Sequence, residues 1–167
     1  MAADKRSGMG VTDAIQGKRN VYLFQVNNRF GRNVFLPYSV GLLWAYARQD
    51  PAISKAYSLK SFEFLRRPFD EVVSALETPD VVGLSCYIWN WRYTMGLAEA
   101  IKEAFPDCLI VAGGPQVPIA DPEFFEGHPF IDLAVHYEGE ITFSEILRQR
   151  SKRRPITRGS RAFPTSP

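Results

Sequence analysis

Two apolar runs in this chain do not alternate with polar residues, and their polar neighbours come at the end. Val81-Val82-Gly83-Leu84-Ser85-Cys86 runs into Tyr87-Ile88-Trp89-Asn90, and Leu109-Ile110-Val111-Ala112 runs into Gly113-Gly114-Pro115. A short continuous apolar run predicts a strand covered on both faces, as in a parallel sheet. Asn20–Val26 reads as a first strand, and Ala56–Leu59, extending toward Phe64, as a weaker second. Ile131–Val135 reads as a fifth.

Between these runs the spacing changes to that of helices. Val40, Leu43, Trp44 and Ala47 recur three to four apart, which predicts a helix from Pro37 to Arg48 that ends at Asp50-Pro51. Pro68-Phe69-Asp70 opens a second helix, and Thr78-Pro79-Asp80 reads as a turn. Arg92–Phe105 carries Leu97, Ala98, Ile101, Ala104 and Phe105 on one side. A short helix is expected near Asp121–Phe125, capped by Asp121 and opened by Pro122. Glu138-Gly139-Glu140 is expected to turn the chain into a last helix, Ile141–Arg150.

Five strands alternating with helices imply an α/β fold. The expectation is a doubly wound, five-stranded parallel sheet in a Rossmann-type three-layer sandwich, with flavodoxin-like strand order 2-1-3-4-5. Ligands of such sheets bind beyond the carboxyl ends of the strands. The loops expected there are rich in flat apolar surface and amide groups. They are poor in acids paired with a histidine or a nucleophile, so a large planar ligand bearing amides suits them better than a small charged one.

Composition narrows the organisation. With 167 residues, 46% hydrophobic and 23% charged, the chain suits one globular domain. Residues 148–167 hold seven of the 20 basic residues and none of the 18 acidic ones, so residues 1–147 are net acidic. The reading is a flexible lead-in at 1–19, a folded domain at 20–150 and a basic, disordered tail or truncated linker at 151–167. The tail reads as an unstructured remnant, with a nucleic-acid contact through its basic residues as the weaker reading. No apolar run reaches the roughly 20 residues that span a membrane. Residues 1–10 have no apolar signal segment, which points to a cytoplasmic setting. The two cysteines, Cys86 and Cys108, fall in or beside apolar strands and read as small buried hydrophobes.

Several chemistries are excluded by pattern. No GxGxxG follows the first strand, no GxxxxGK[ST] occurs, and no acidic pair closes strand one to hold Mg²⁺. Two histidines, His128 and His136, make no convincing metal site, and two cysteines cannot ligate an iron–sulfur cluster.

Four motifs then fall in order at the expected strand ends. They are Phe35-Leu36-Pro37-Tyr38-Ser39-Val40-Gly41-Leu42-Leu43, Val82–Asn90, Ile110-Val111-Ala112-Gly113-Gly114-Pro115-Gln116, and Glu138-Gly139-Glu140 with Thr142-Phe143 and Glu145-Ile146-Leu147. Over about residues 20–148 the chain resembles the N-terminal cobalamin-binding domain of cobalamin-dependent radical S-adenosylmethionine enzymes. In that family the dimethylbenzimidazole tail leaves cobalt and inserts along the sheet.

The resemblance implies roles for particular residues. Gly113 and Gly114 would let the tail lie against the backbone, because a Cβ there would collide with it, and Pro115 and Gln116 follow as cofactor-binding candidates in the same loop. Ser85 would hydrogen-bond the benzimidazole or the tail. Tyr87 and Trp89 would wall the corrin, with Asn90 toward its amides. Glu138, Gly139 and Glu140 would start the last helix beside the tail. Asn28, Arg29 and Phe30, with Arg32, are candidates to cover the lower face of the corrin.

Two departures qualify the resemblance. Methyltransferases and mutases with this fold carry DxHxxG after strand one, whose histidine ligates cobalt. Here that loop has no histidine, so cobalamin is expected base-off and without a histidine ligand. The CxxxCxxC that holds the cluster of a radical enzyme is also missing. The chain alone is therefore not expected to catalyse the radical reaction. It reads as a fragment, a truncated product or a stand-alone carrier, with a radical S-adenosylmethionine domain, fused or separate, as its partner. The rival reading is a non-catalytic, flavodoxin-like interaction module that contacts a protein through Tyr87–Trp91.

Overall fold

The computed structural model describes residues 17–29 and 31–152. Its sheet has five strands, all parallel, in the order β2-β1-β3-β4-β5. The strands are β1 (Arg19–Asn27), β2 (Tyr57–Leu65), β3 (Pro79–Ser85), β4 (Leu109–Gly113) and β5 (Leu133–Val135). The helices are α1 (Tyr38–Ala47), α2 (Pro51–Ala56), α3 (Phe69–Ser74), α4 (Trp91–Ala104), α5 (Glu123–Gly127) and α6 (Gly139–Lys152). The expected fold class and strand order are both found.

The pleat of the strands divides the core in two. Val21, Leu23, Val81, Val111 and Val135 face one way and pack with Val40 and Ala47 of α1, Ile53 of α2, and Phe143 and Leu147 of α6. Tyr22, Phe24, Val82, Leu84, Ile110 and Ala112 face the other way, against α3, α4 and α5. Because both faces are covered, both sets of side chains are apolar, which is why the runs do not alternate.

Local differences from expectation have local causes. Asp50-Pro51 ends α1 as expected but also opens α2. The Asp50 carboxylate accepts from the amide of Ala52 at 2.8 Å, and Pro51 takes the first helical position. The turn expected at Thr78-Pro79-Asp80 is shorter, since Pro79 and Asp80 already belong to β3. Asp80 accepts the amide of Asn20 at 2.8 Å and so ties β3 to the start of β1. The last helix starts at Gly139, inside the expected turn. The expected lead-in ends early, because Arg19 is in β1. Ser151 and Lys152 of the expected tail belong to α6, and residues 153–167 lie outside the described residues. Among the described residues no helix is long and apolar enough to cross a membrane.

Candidate functional site

The carboxyl ends of β3, β4 and β5 make a cleft on the face that α1 and α6 cover. Pairing sets Ser85, Gly113 and Val135 side by side across the three strands, with Gly83 beside Val111 one row below. Gly113 leaves its side-chain place open: a Cβ there would make only ordinary contacts, 3.5 Å from the oxygen and 3.7 Å from the Cβ of Val135. Ser39 and Leu43 of α1, Phe143 of α6 and the turn Tyr137–Glu140 close the other side. The cleft has a volume of about 250 Å³. Glu138 and Glu140 line it, and Glu140 stands in the first turn of α6, where the helix dipole favours a carboxylate.

A second cavity of about 480 Å³ lies over the end of β1. It is lined by the amide residues Gln25, Asn27 and Asn28 together with Phe35, Leu36, Tyr87 and Trp89. Tyr87 borders both cavities. Its ring stacks on Trp89, with centroids 4.5 Å apart and planes 10° from parallel. Trp89 is 49% exposed and Ile88 78% exposed, so the pair forms an open apolar platform. Arg66 donates to the carbonyl of Trp89 at 2.6 Å and holds the platform from β2's side.

One hydrogen-bonded chain crosses between the cavities. The amide and the hydroxyl of Ser39 both donate to Gln25 Oε1, at 3.0 and 2.7 Å. Ser39 Oγ lies 3.0 Å from Ser85 Oγ. Gln25, Ser39 and Ser85 thus join β1, α1 and β3 at the mouth of the cleft.

Three expectations need correction. Asn90 does not face the cavities. It is fully buried, at 0% exposure, and its amide is spent on backbone: Nδ2 donates to Val26 O at 3.0 Å and Ser85 O at 2.9 Å, and Oδ1 accepts from Tyr87 N at 2.8 Å. It shapes the loop that carries the aromatic platform. Gly114 is glycine for the protein's own sake. It has φ +109, and a Cβ there would stand 2.6 Å from Cys86 O and 2.9 Å from Cys86 N. Trp91 turns away from the edge and packs on Phe124 and His128.

The other expected residues are placed as follows. Ser85, Tyr87, Gly113, Gly114, Pro115, Glu138, Gly139 and Glu140 come together around the smaller cleft, and Asn28 and Trp89 border the larger one. The backbone N–H of Gln116 donates to Cys86 O at 3.2 Å. Arg29 and Arg32 are exposed and line neither cavity, and Phe30 lies outside the described residues. Tyr137 was expected at this edge from its place in the loop after β5, whereas sequence reasoning missed Gln25 and Leu43. Gln25 had a signal, since it is the one polar side chain inside the apolar run Val21–Val26. Cys86 and Cys108 are buried, and burial pushes both thiols up to about 12.

Residues 62–147, from β2 into α6, match the B12 binding domain family. The chain belongs to that family.

The matched B12-binding segment includes all three cleft strands and the aromatic platform. Two curated relatives agree with it. The chain is 43% identical over 137 residues to the cobalamin-dependent radical SAM methyltransferase TokK of Streptomyces tokunonensis, covering 82% of this chain and 20% of that protein. It is 38% identical over 163 residues to the 2-(S-pantetheinyl)-carbapenam-3-carboxylate methyltransferase of Streptantibioticus cattleyicolor, covering 92% and 23%. The chain thus spans about a fifth of the length of these relatives. The resemblance to the cobalamin-binding domain of cobalamin-dependent radical S-adenosylmethionine enzymes is borne out.

Among solved structures, a CheY-like protein (TadZ) of Pseudomonas aeruginosa PAO1 superposes with TM-score 0.51 at 14% identity, over 79% of this chain and 98% of that one. The pilus assembly protein CpaE of Caulobacter crescentus CB15 gives 0.50 at 12%, over 78% and 98%. At such identities the likeness is one of fold.

The cavities fit a corrinoid in kind. The smaller cleft is a groove against the sheet, with an open place at Gly113 and hydroxyl and carboxylate groups at its rim. The larger cavity pairs flat rings with the amides of Gln25, Asn27 and Asn28. A macrocycle with apolar faces and amide arms needs both kinds of surface.

Proposed function

We propose that this domain holds cobalamin with its nucleotide base off the metal, the tail in the Gly113 cleft and the corrin beside the Tyr87–Trp89 platform. The observation that carries this reading is the open place at Gly113, set in register beside Ser85 at the end of a parallel sheet. Gly113 and Pro115 would lie along the tail, and Glu138 and Glu140 would accept from its donors or from amide arms. Gly114 serves indirectly by letting the β4 loop close on Cys86. Asn28, with Arg29 and Phe30 in the same loop, would cover the lower face of the corrin. Gln116 belongs to the supporting loop. When bound, the cofactor supplies a cobalt centre able to carry a methyl group.

The loop at 27–38 contains no histidine to offer cobalt, and among the described residues no three His, Cys, Asp or Glu side chains gather as a metal site. This supports binding without a protein ligand from that loop. We assign the folded unit to about residues 20–150. Its role would be that of cofactor carrier for a radical S-adenosylmethionine methyltransferase, working with a radical domain that supplies the cluster.

Electron paramagnetic resonance of the cob(II)alamin complex tests the ligation. A lower axial nitrogen splits each cobalt line threefold. The expected spectrum lacks that splitting, and a spectrum that shows it would exclude base-off, histidine-off binding.

A further inference from the structure

Two adjacent arginines follow β2, and they are used differently. Arg67 pairs with Glu63, four residues back, at 2.8 Å. Among the described residues no carboxylate pairs with Arg66. Its guanidinium lies over the ring of Tyr93, 5.3 Å from the centroid, and Nη2 donates to the Trp89 carbonyl at 2.6 Å. Tyr93, in α4, also grips the chain beside it. Its hydroxyl accepts from Arg67 N at 3.2 Å and donates to Arg67 O at 2.8 Å. The Tyr93 ring in turn meets Phe69 in a T-shaped contact, with centroids 5.1 Å apart. The head of Arg66 is thus held before it reaches Trp89.

The loop that carries Tyr87 and Trp89 therefore has two anchors. Asn90 holds it from inside the protein, through Tyr87 N, Val26 O and Ser85 O. Arg66 holds it from the outside, at the backbone carbonyl of Trp89 itself. Arg66 lines neither cavity, so it reaches the larger one only through Trp89.

We propose that Arg66, backed by Tyr93, is a positioning residue that keeps the Tyr87–Trp89 platform in the stacked arrangement that receives a corrin. This deepens the cobalamin reading and rests on it. A platform free to leave that arrangement is competent to bind for only part of the time, and apparent affinity falls in the same proportion. The effect on binding is bounded by the worth of the one bond that is lost. Since the platform faces the corrin, the effect is independent of the nucleotide tail.

The test uses Arg66→Met, which keeps most of the apolar stem and removes the charge and every donor. One exposed bond is lost, so the melting temperature should stay within a few degrees of wild type. Near-ultraviolet circular dichroism of the ligand-free variant should show a weaker signal from the stacked rings. Dissociation constants are then measured for cobalamin and for cobinamide, the same corrin without the nucleotide tail. Both should weaken about three- to tenfold, and equally, the scale of one hydrogen bond.

A double-mutant cycle separates positioning from direct contact. In a Trp89→Ala background, Arg66→Met should cost no further affinity, because there is no indole left to position. A loss that persists in that background would overturn the proposal, since Arg66 would then meet the ligand itself. Unchanged dichroism in the ligand-free variant, or unchanged affinity for both corrinoids, would overturn it as well. If the wild-type chain bound neither corrinoid, the cobalamin reading would fall and the binding half of the proposal with it. The ligand-free dichroism would still decide whether Arg66 sets the platform.

Discussion

Gly114 and Cys86 meet backbone to backbone. A Cβ on Gly114 would stand 2.6 Å from the Cys86 carbonyl oxygen, and the adjoining bonds, Cys86 N to Gly113 O at 2.7 Å and Gln116 N to Cys86 O at 3.2 Å, lock the two loops together. The diglycine thus has two different jobs. Gly114 lets the loops close, and Gly113 leaves space in the cleft.

Alanine at the two positions should separate these jobs. Gly114→Ala must place a side chain at φ +109 against a backbone that cannot yield. The expected cost is on the order of 2–4 kcal/mol of stability, with or without ligand. Gly113→Ala meets only ordinary contacts, so its melting temperature should stay within a few degrees of wild type while corrinoid affinity falls. Denaturant titration and ligand binding on the two variants check both statements. A stable Gly114→Ala would contradict the first.

Asn90 is expected to matter for stability before it matters for binding. Asn90→Ala strands the Tyr87 amide and two carbonyls, those of Val26 and Ser85. A loss of about 3 kcal/mol is expected from unpaired buried groups. Urea unfolding measures it. The near-ultraviolet circular dichroism of the stacked Tyr87–Trp89 pair should weaken in the same variant, because the loop that stacks the rings has lost its anchor.

Acid should loosen the α1–α2–α6 corner. Arg148 donates through Nε and Nη2 to Asp50 Oδ2, at 2.9 and 2.7 Å, and also pairs with Glu145. Hydrogen bonds, that from Arg148 foremost, hold the Asp50 carboxyl below its usual range; those from Gln149 and Arg148 do the same for Glu145. Both folded-state values are depressed, so this contribution is fully present above the ordinary carboxyl range. It is lost as pH falls through the depressed values. Melting temperature followed from neutral pH into acid should fall less steeply for Arg148→Met than for wild type. The whole effect should be small, because the groups are exposed to solvent.

The thiols should be silent. Burial raises both Cys86 and Cys108 to about 12, so almost no thiolate forms near neutrality. A disulfide reagent added to the native chain should label neither residue within minutes and both after unfolding. Rapid labelling of the native chain would contradict the packing of Cys86 beneath the Gly114 loop.

The sheet was legible in the sequence because a strand covered on both faces has no polar alternation to confuse it. Val81–Cys86 and Leu109–Ala112 lie where their apolar runs placed them, with boundaries shifted by a residue or two. Helix α2 was not legible, because Asp50-Pro51 signals a helix stop and a helix start with the same two residues. The site was legible as a set of strand ends but not as a division of labour. Spacing shows that Asn90 follows a strand, yet only the three-dimensional path reveals that the Val26 and Ser85 carbonyls converge on its amide. Gln25 was hidden for a related reason: its partner, Ser39, lies 14 residues away on a helix.

The central claim is that this domain retains cobalamin, and the most direct measurement is stoichiometric. The wild-type chain is mixed with hydroxocobalamin, aerobically and under reducing conditions, passed through a desalting column and scanned in the visible. The account predicts close to one corrinoid per chain with a base-off spectrum, and a clear loss of retention for Gly113→Ala. Protein that leaves the column free of corrinoid under both conditions would contradict it.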